Sequence, residues 1–74
     1  MYTVEFVMTD NTSLEFYEIT KIVYHTGYET KTVEGENILS HSFNPNHRYD
    51  LYAKDSVSGV GSEHKRAIKI YKEK

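Results

Sequence analysis

Cysteine, tryptophan and glutamine are all absent from the 74 residues, and there is a single proline. Without cysteine there is no disulfide framework, no thiolate zinc site and no cysteine nucleophile. The supports usual in very small secreted domains are therefore missing, and the expected compartment is the cytoplasm. Helix formers are also scarce, with two Ala, three Leu and two Met, so a long amphipathic helix would have to be built from residues that disfavour it. No apolar run approaches the length that spans a bilayer. The opening Met1-Tyr2-Thr3-Val4-Glu5-Phe6-Val7-Met8 has neither a basic start nor the apolar block of a secretion signal. No membrane partner is expected.

What is present suits a pleated surface. Tyr, Phe, Val, Ile and Thr supply 28 of the 74 positions, and these residues pack well on strands. The expected fold is all-β, in one domain over residues 1–74. At this size a chain hides only roughly 60% of the surface it exposes when unfolded, so the core must be thin and a homo-oligomer is expected to enlarge it. The net charge of -2 conceals an asymmetry: residues 1–40 carry seven acids and two lysines, residues 41–74 seven bases and four acids. Such a split fits either an acidic face set against a basic one or a basic site that receives an anion.

Along the chain, Tyr2, Val4, Phe6 and Met8 alternate with Thr3, Glu5 and Val7 as one strand. Asp10-Asn11-Thr12 supplies turn chemistry, and Leu14 and Phe16 resume the alternation to complete a hairpin. The spacing of Phe16, Ile19, Ile22 and Tyr24 predicts a bulge or short turn inside strand-forming sequence. A break at His25-Thr26-Gly27 precedes a strand from Tyr28 to Val33, and Glu34-Gly35-Glu36-Asn37 is the next turn. Ile38–Phe43 and Tyr49–Ala53 read as two strands joined by a hairpin at Asn44-Pro45-Asn46. Residues 55–62 read as a loop, followed by a strand from His64 to Tyr71 in which Arg66, Ile68 and Ile70 share a face, and by a frayed end at Lys72-Glu73-Lys74. Six to seven short strands bounded by turns predict an antiparallel meander, a small sandwich or a partly closed barrel.

Catalytic motifs are missing: there is no phosphate-binding Gly-rich loop before Lys, no dinucleotide fingerprint, no His-Glu-x-x-His and no nucleophile elbow. His25, His41, His47 and His64 follow no metal-ligand spacing, so neither a metal nor a cofactor is expected. Two segments concentrate recognition chemistry. His41-Ser42-Phe43-Asn44-Pro45-Asn46-His47-Arg48-Tyr49 combines amides, imidazoles, a guanidinium and aromatic rings, the groups that stack on bases and bind phosphate. Ser56-Val57-Ser58-Gly59-Val60-Gly61-Ser62-Glu63-His64-Lys65-Arg66 joins two glycines, which permit an anion-binding backbone concavity, to serine hydroxyls and adjacent cations. The bland reading of each is a polar turn or a flexible glycine hairpin beside solvated charge. A net-acidic domain is poorly suited to long nucleic acid, whereas a single nucleotide needs only two or three cations.

Val4-Glu5-Phe6, the turn at Asp10-Asn11-Thr12, and Phe16-Tyr17-Glu18-Ile19-Thr20-Lys21-Ile22-Val23-Tyr24 resemble the opening third of small β-rich proteins of phages and mobile elements of low-GC bacteria. Those proteins usually carry Asp-Gly at the turn. Residues with AT-rich codons (28) outnumber those with GC-rich codons (nine), in keeping with such a source. The resemblance implies a binding protein, since some phage proteins of this size inhibit host defence by sequestering a nucleotide signal or occluding a protein. The expectation is a noncatalytic module for a phosphate-bearing small ligand such as a nucleotide second messenger or short oligonucleotide. Arg48, Lys65 and Arg66 would meet phosphate, Tyr49 or Tyr52 would stack on a base, and Asn44, Asn46, His47 and Ser58 would give directional hydrogen bonds. The alternatives are an inhibitor of a host protein acting through an acidic face (Glu5, Asp10, Glu15, Glu18, Glu29, Glu34, Glu36) or an edge strand, and a metal-assisted hydrolase built on the histidines.

Overall fold

A computed structural model describes residues 1–74. It contains β1 (Tyr2–Met8), β2 (Ser13–Ile19), β3 (Lys21–His25), β4 (Thr30–Glu34), a single helical turn α1 (Asn37–Ser40), β5 (Arg48–Tyr52), β6 (Val57–Val60) and β7 (Lys65–Lys72). The strands form two antiparallel sheets, one ordered β2-β1-β7 and one ordered β4-β3-β5-β6. The protein is all-β, as its composition predicts. No helix is long and apolar enough to cross a membrane.

β1 alternates as predicted: Tyr2, Val4 and Phe6 are buried, while Thr3, Glu5 and Val7 are only partly covered. It is the middle strand of its sheet. The turn to β2 closes around Asp10, whose carboxylate accepts from the Thr12 amide at 3.0 Å and the Thr12 hydroxyl at 2.6 Å. Asn11 takes the left-handed conformation there, at φ 70°. The predicted bulge falls at the end of β2, where Tyr2 faces Ile19 but Val4 faces Phe16, and Glu18 absorbs the extra residue at φ 58°. Directly afterwards the chain changes sheets. Thr20 donates its amide to the Tyr52 carbonyl at 2.8 Å, which commits Lys21 onward to the second sheet.

The core between the sheets is one layer deep. Tyr2, Val4, Phe6 and Ile19 meet Ile22, Val33, Tyr49, Leu51 and Val60, and Ile38 of α1 plugs the open end with no exposed surface. At its centre the Phe6 and Tyr49 rings lie 5.5 Å apart, and Phe16 packs edge-on against Phe6 at 6.0 Å.

Five expectations are corrected. Ile38–Phe43 is not a strand. Gly35, at φ 62°, turns the chain so that the Ile38 amide bonds the Gly35 carbonyl at 3.1 Å and the His41 amide bonds Asn37 at 3.0 Å; of the segment only Ile38 is fully buried, with Phe43 packed partly covered against the core, so alternate burial does not hold it as a strand. Asn44-Pro45-Asn46 is therefore the turn that starts β5 and not a hairpin tip. Residues 55–62 are not all loop, because Val57–Val60 pairs with β5 across a tip at Ala53–Ser56. In β7 a register shift opposite Val7 and Met8 turns Lys65 inward in place of Arg66. Finally, Glu73 is tied down: its amide bonds the Met1 carbonyl at 2.9 Å, and its carboxylate accepts from the Glu18 amide and the Thr3 hydroxyl, each at 2.8 Å. Those bonds, the Glu18 amide first, hold its carboxyl below the usual carboxylate range.

Phe6→Ala should cost about 3–5 kcal/mol, a large part of the roughly 5–15 kcal/mol available to a small domain. Urea denaturation followed by far-ultraviolet circular dichroism measures it.

Candidate functional site

The ladder registers settle what shares the outer face of the second sheet. Because Ile22, Tyr49 and Leu51 point into the core, their neighbours Lys21, Val23 and His25 on β3 and Arg48, Asp50 and Tyr52 on β5 point out. His25 lies opposite both Thr30 and Arg48, Val23 opposite Asp50, and Lys21 opposite Tyr52. Two of the nine residues predicted to bind ligand, Arg48 and Tyr52, thus stand on one face, four residues apart on one strand, or about 13 Å.

Around them the acids are engaged elsewhere. His25 Nε2 lies 2.9 Å from the Asp50 carboxylate and its Nδ1 lies 3.0 Å from the Thr30 hydroxyl, so in the neutral ring Nε2–H donates to Asp50 and Thr30 donates to Nδ1. Glu29 pairs with Lys31 at 3.1 Å. Arg48 is exposed and has no carboxylate within ion-pair distance. Beside it a depression of about 300 Å³ is lined by His25, Gly27, Tyr28, Glu29 and Thr30. Tyr28 is 99% exposed, an aromatic ring with nothing packed on it. The Tyr52 ring, by contrast, is covered by the Lys21 ammonium at 4.2 Å from its centroid, a contact worth roughly 0.5–1 kcal/mol at an exposed site.

The other predicted residues go to different places. Tyr49 is buried and its hydroxyl donates to the Asn44 carbonyl; burial, reinforced by the neighbouring Tyr24, pushes its phenol well above the usual range. It cannot stack on a ligand. Lys65 is 1% exposed. Its ammonium donates to the carbonyls of His47 (3.4 Å), Gly61 and Glu63 (3.1 Å) and sits 5.8 Å from the Phe6 centroid. It therefore fastens three loop carbonyls and does not reach a phosphate in solvent. Burial lowers its pKa, and the nearby Glu63 charge partly opposes this. Arg66 is exposed on the other sheet, bonded to the Asn11 side chain.

Asn44 and Asn46 act as turn formers. The Asn44 side chain accepts from the Asn46 amide at 2.8 Å, and the Asn46 side chain accepts from the Lys65 amide at 3.3 Å. His47 stacks on Tyr24 at 5.7 Å, while His41 packs on the same ring at 5.4 Å. Ser58 lies opposite the buried Leu51 and is partly buried on the inner face. Much of the segment expected to cradle an anion is strand, with residues 61–64 linking β6 to β7, and neither Gly59 nor Gly61 has the positive φ such a concavity requires. No cluster of three or more His, Cys, Asp or Glu is placed to hold a metal ion.

His25, Tyr28, Lys21 and Asp50 are the residues that motif reading missed. Alternation within 21–25 and 48–52 marks their faces, but only the β3–β5 register brings them together.

Replacing Lys65 by Met should cost about 1–3 kcal/mol in urea, because buried carbonyls lose their donor. The Tyr49 phenol gives a pH signature. Its folded-state value lies above the unfolded one, so stability is full below about pH 10 and falls above it as the unfolded chain loses the proton first. The stability gap between the wild type and Tyr49→Phe should narrow above that pH. Comparison with protein-family models, with curated proteins and with solved structures finds no match to this chain.

Proposed function

We propose that the protein is a noncatalytic binding module that sequesters a phosphate-bearing small ligand, such as a nucleotide second messenger or a short oligonucleotide, on the outer face of its four-stranded sheet. The observation that carries this reading is the unpaired guanidinium of Arg48. Asp50, two residues along on the same face, is hydrogen-bonded to His25, and Glu29 is paired with Lys31, so neither forms an ion pair with Arg48. A guanidinium in that state binds phosphate by paired charge-assisted bonds. Tyr28 offers a bare ring for a base, and Lys21, over Tyr52 at the far end of the face, offers a second cation to a ligand long enough to span it. Such a ligand would make the protein a sponge in a cell that signals through nucleotides, the anti-defence role that the resemblance to phage proteins implies.

A second reading has its own observation. Glu5 and Glu15 stand directly opposite each other across the β1–β2 ladder, an arrangement of like charges that destabilises a sheet and supports an acidic surface kept for a basic host protein.

Native mass spectrometry of protein purified from its host, with thermal shift against mono-, cyclic and short oligonucleotides, distinguishes the two. Under the first reading a co-purified phosphorylated mass appears and a ligand raises the melting temperature with concentration. Arg48→Ala then abolishes the shift, Tyr28→Ala weakens it, and Arg66→Ala leaves it unchanged. If no nucleotide shifts the protein and Glu15→Lys removes a captured basic partner, the second reading replaces the first.

A further inference from the structure

The three-stranded sheet ends in two long free edges, β2 with seven residues and β7 with eight, whereas the edges of the other sheet have five and four. The two long edges are opposite in charge. β2 carries Glu15 and Glu18 and no base, and β7 carries Lys65, Arg66, Lys69 and Lys72 and no acid. Lys65 is internal, which leaves three exposed cations, of which Lys69 stands on the outer face opposite Glu5. No backbone bond from the segment between α1 and β5 covers β7.

Because both strands are antiparallel to β1, they run parallel to each other, and their residues align through it. Leu14, Phe6 and Ile68 form one row, Glu15, Glu5 and Lys69 the next, and Phe16, Val4 and Ile70 the third. The middle row, on the outer face, holds two acids for one cation. A second copy placed beside β7 in the same orientation continues all three rows. Lys69 then stands between Glu5 and the next copy's Glu15, while that copy's Leu14 and Phe16 lie beside Ile68 and Ile70. Those two isoleucines border an open groove of about 300 Å³ that Ile38, Leu39 and Phe43 complete. Leu14 is 43% exposed, and this contact sets it against the apolar side of that groove.

Symmetric pairing is disfavoured by the same charges. β7 against β7 brings two cationic strands together, and β2 against β2 two acidic ones, and like charges are unfavourable across a ladder. Edge lysines alone would serve to block strand addition, but they do not block a glutamate-bearing strand.

We propose that the chain assembles head to tail with itself, β2 of one copy adding to β7 of the next. Each copy has one of each edge, so the contact repeats into a ring or filament. This rests on the first sheet and is independent of the ligand face on the second.

The test is analytical ultracentrifugation of the wild type, of Glu15→Lys/Glu18→Lys, of Lys69→Glu/Lys72→Glu, and of an equal mixture of the two variants, with circular dichroism confirming that each is folded. The wild type should sediment as species larger than a dimer. Each charge-reversed variant alone should be monomeric, and the mixture should recover the wild-type distribution, because each variant's altered edge complements the other's. If a reversed variant unfolds, Glu15→Gln and Lys69→Gln replace it, and each should weaken assembly. A monomeric wild type, a dimer indifferent to these substitutions, or a mixture that stays monomeric overturns the proposal.

Discussion

Two short sheets can enclose a core only if something large fills the gap between them, and here the contact of Phe6 with Tyr49 does so. It sets the spacing of the sheets, and the polar ends of the same cluster hold the surrounding loops. The Tyr49 hydroxyl secures the turn at Asn44, and the Lys65 ammonium, lying above the Phe6 ring, gathers the carbonyls of His47, Gly61 and Glu63. The loops are thus fastened from inside. A chain with four glycines and little helix gains through these bonds an order that backbone propensity alone would not give it.

This arrangement decides where recognition chemistry remains free. A core one layer deep draws inward every second residue of β3 and β5 and turns the alternate ones out to solvent. On that face Asp50 is hydrogen-bonded to His25, at its margin Glu29 pairs with Lys31, and Arg48 has no carboxylate within ion-pair distance. The basic character of the second half of the chain is therefore an imperfect guide to where free cations stand. Lys65 is structural, Arg66 and Lys69 lie on the other sheet, and Arg48 is the exposed base of the four-stranded sheet's outer face that has no ion pair.

The fold class was legible because the strand signals are local. Period-two alternation placed β1, and the bulge before Ile22 and the turn at Asp10 were visible from residue types alone. Ile38–Phe43 misled because Ile38, Leu39 and Phe43 suit a strand equally well, and the preceding Gly35 turn, with a core gap of one side chain, chose a helical turn instead. Lys65 misled for a different reason. A one-residue shift between β1 and β7 exchanges which of two adjacent cations is internal, and nothing in Lys65-Arg66 announces that shift. Arg48 and Tyr52 could be named as a pair by their spacing on one strand, whereas His25 and Tyr28 join them only through pairing of distant strands.

The internal position of Lys65 also makes it a reporter. Among the seven lysines, its amine alone is sealed beneath loop carbonyls, and an amine-reactive reagent reaches it only when those loops lift. Its modification rate, set against that of the other six, therefore reads the local opening of the 44–47 and 61–64 segments in the folded protein, a motion that global unfolding experiments do not resolve.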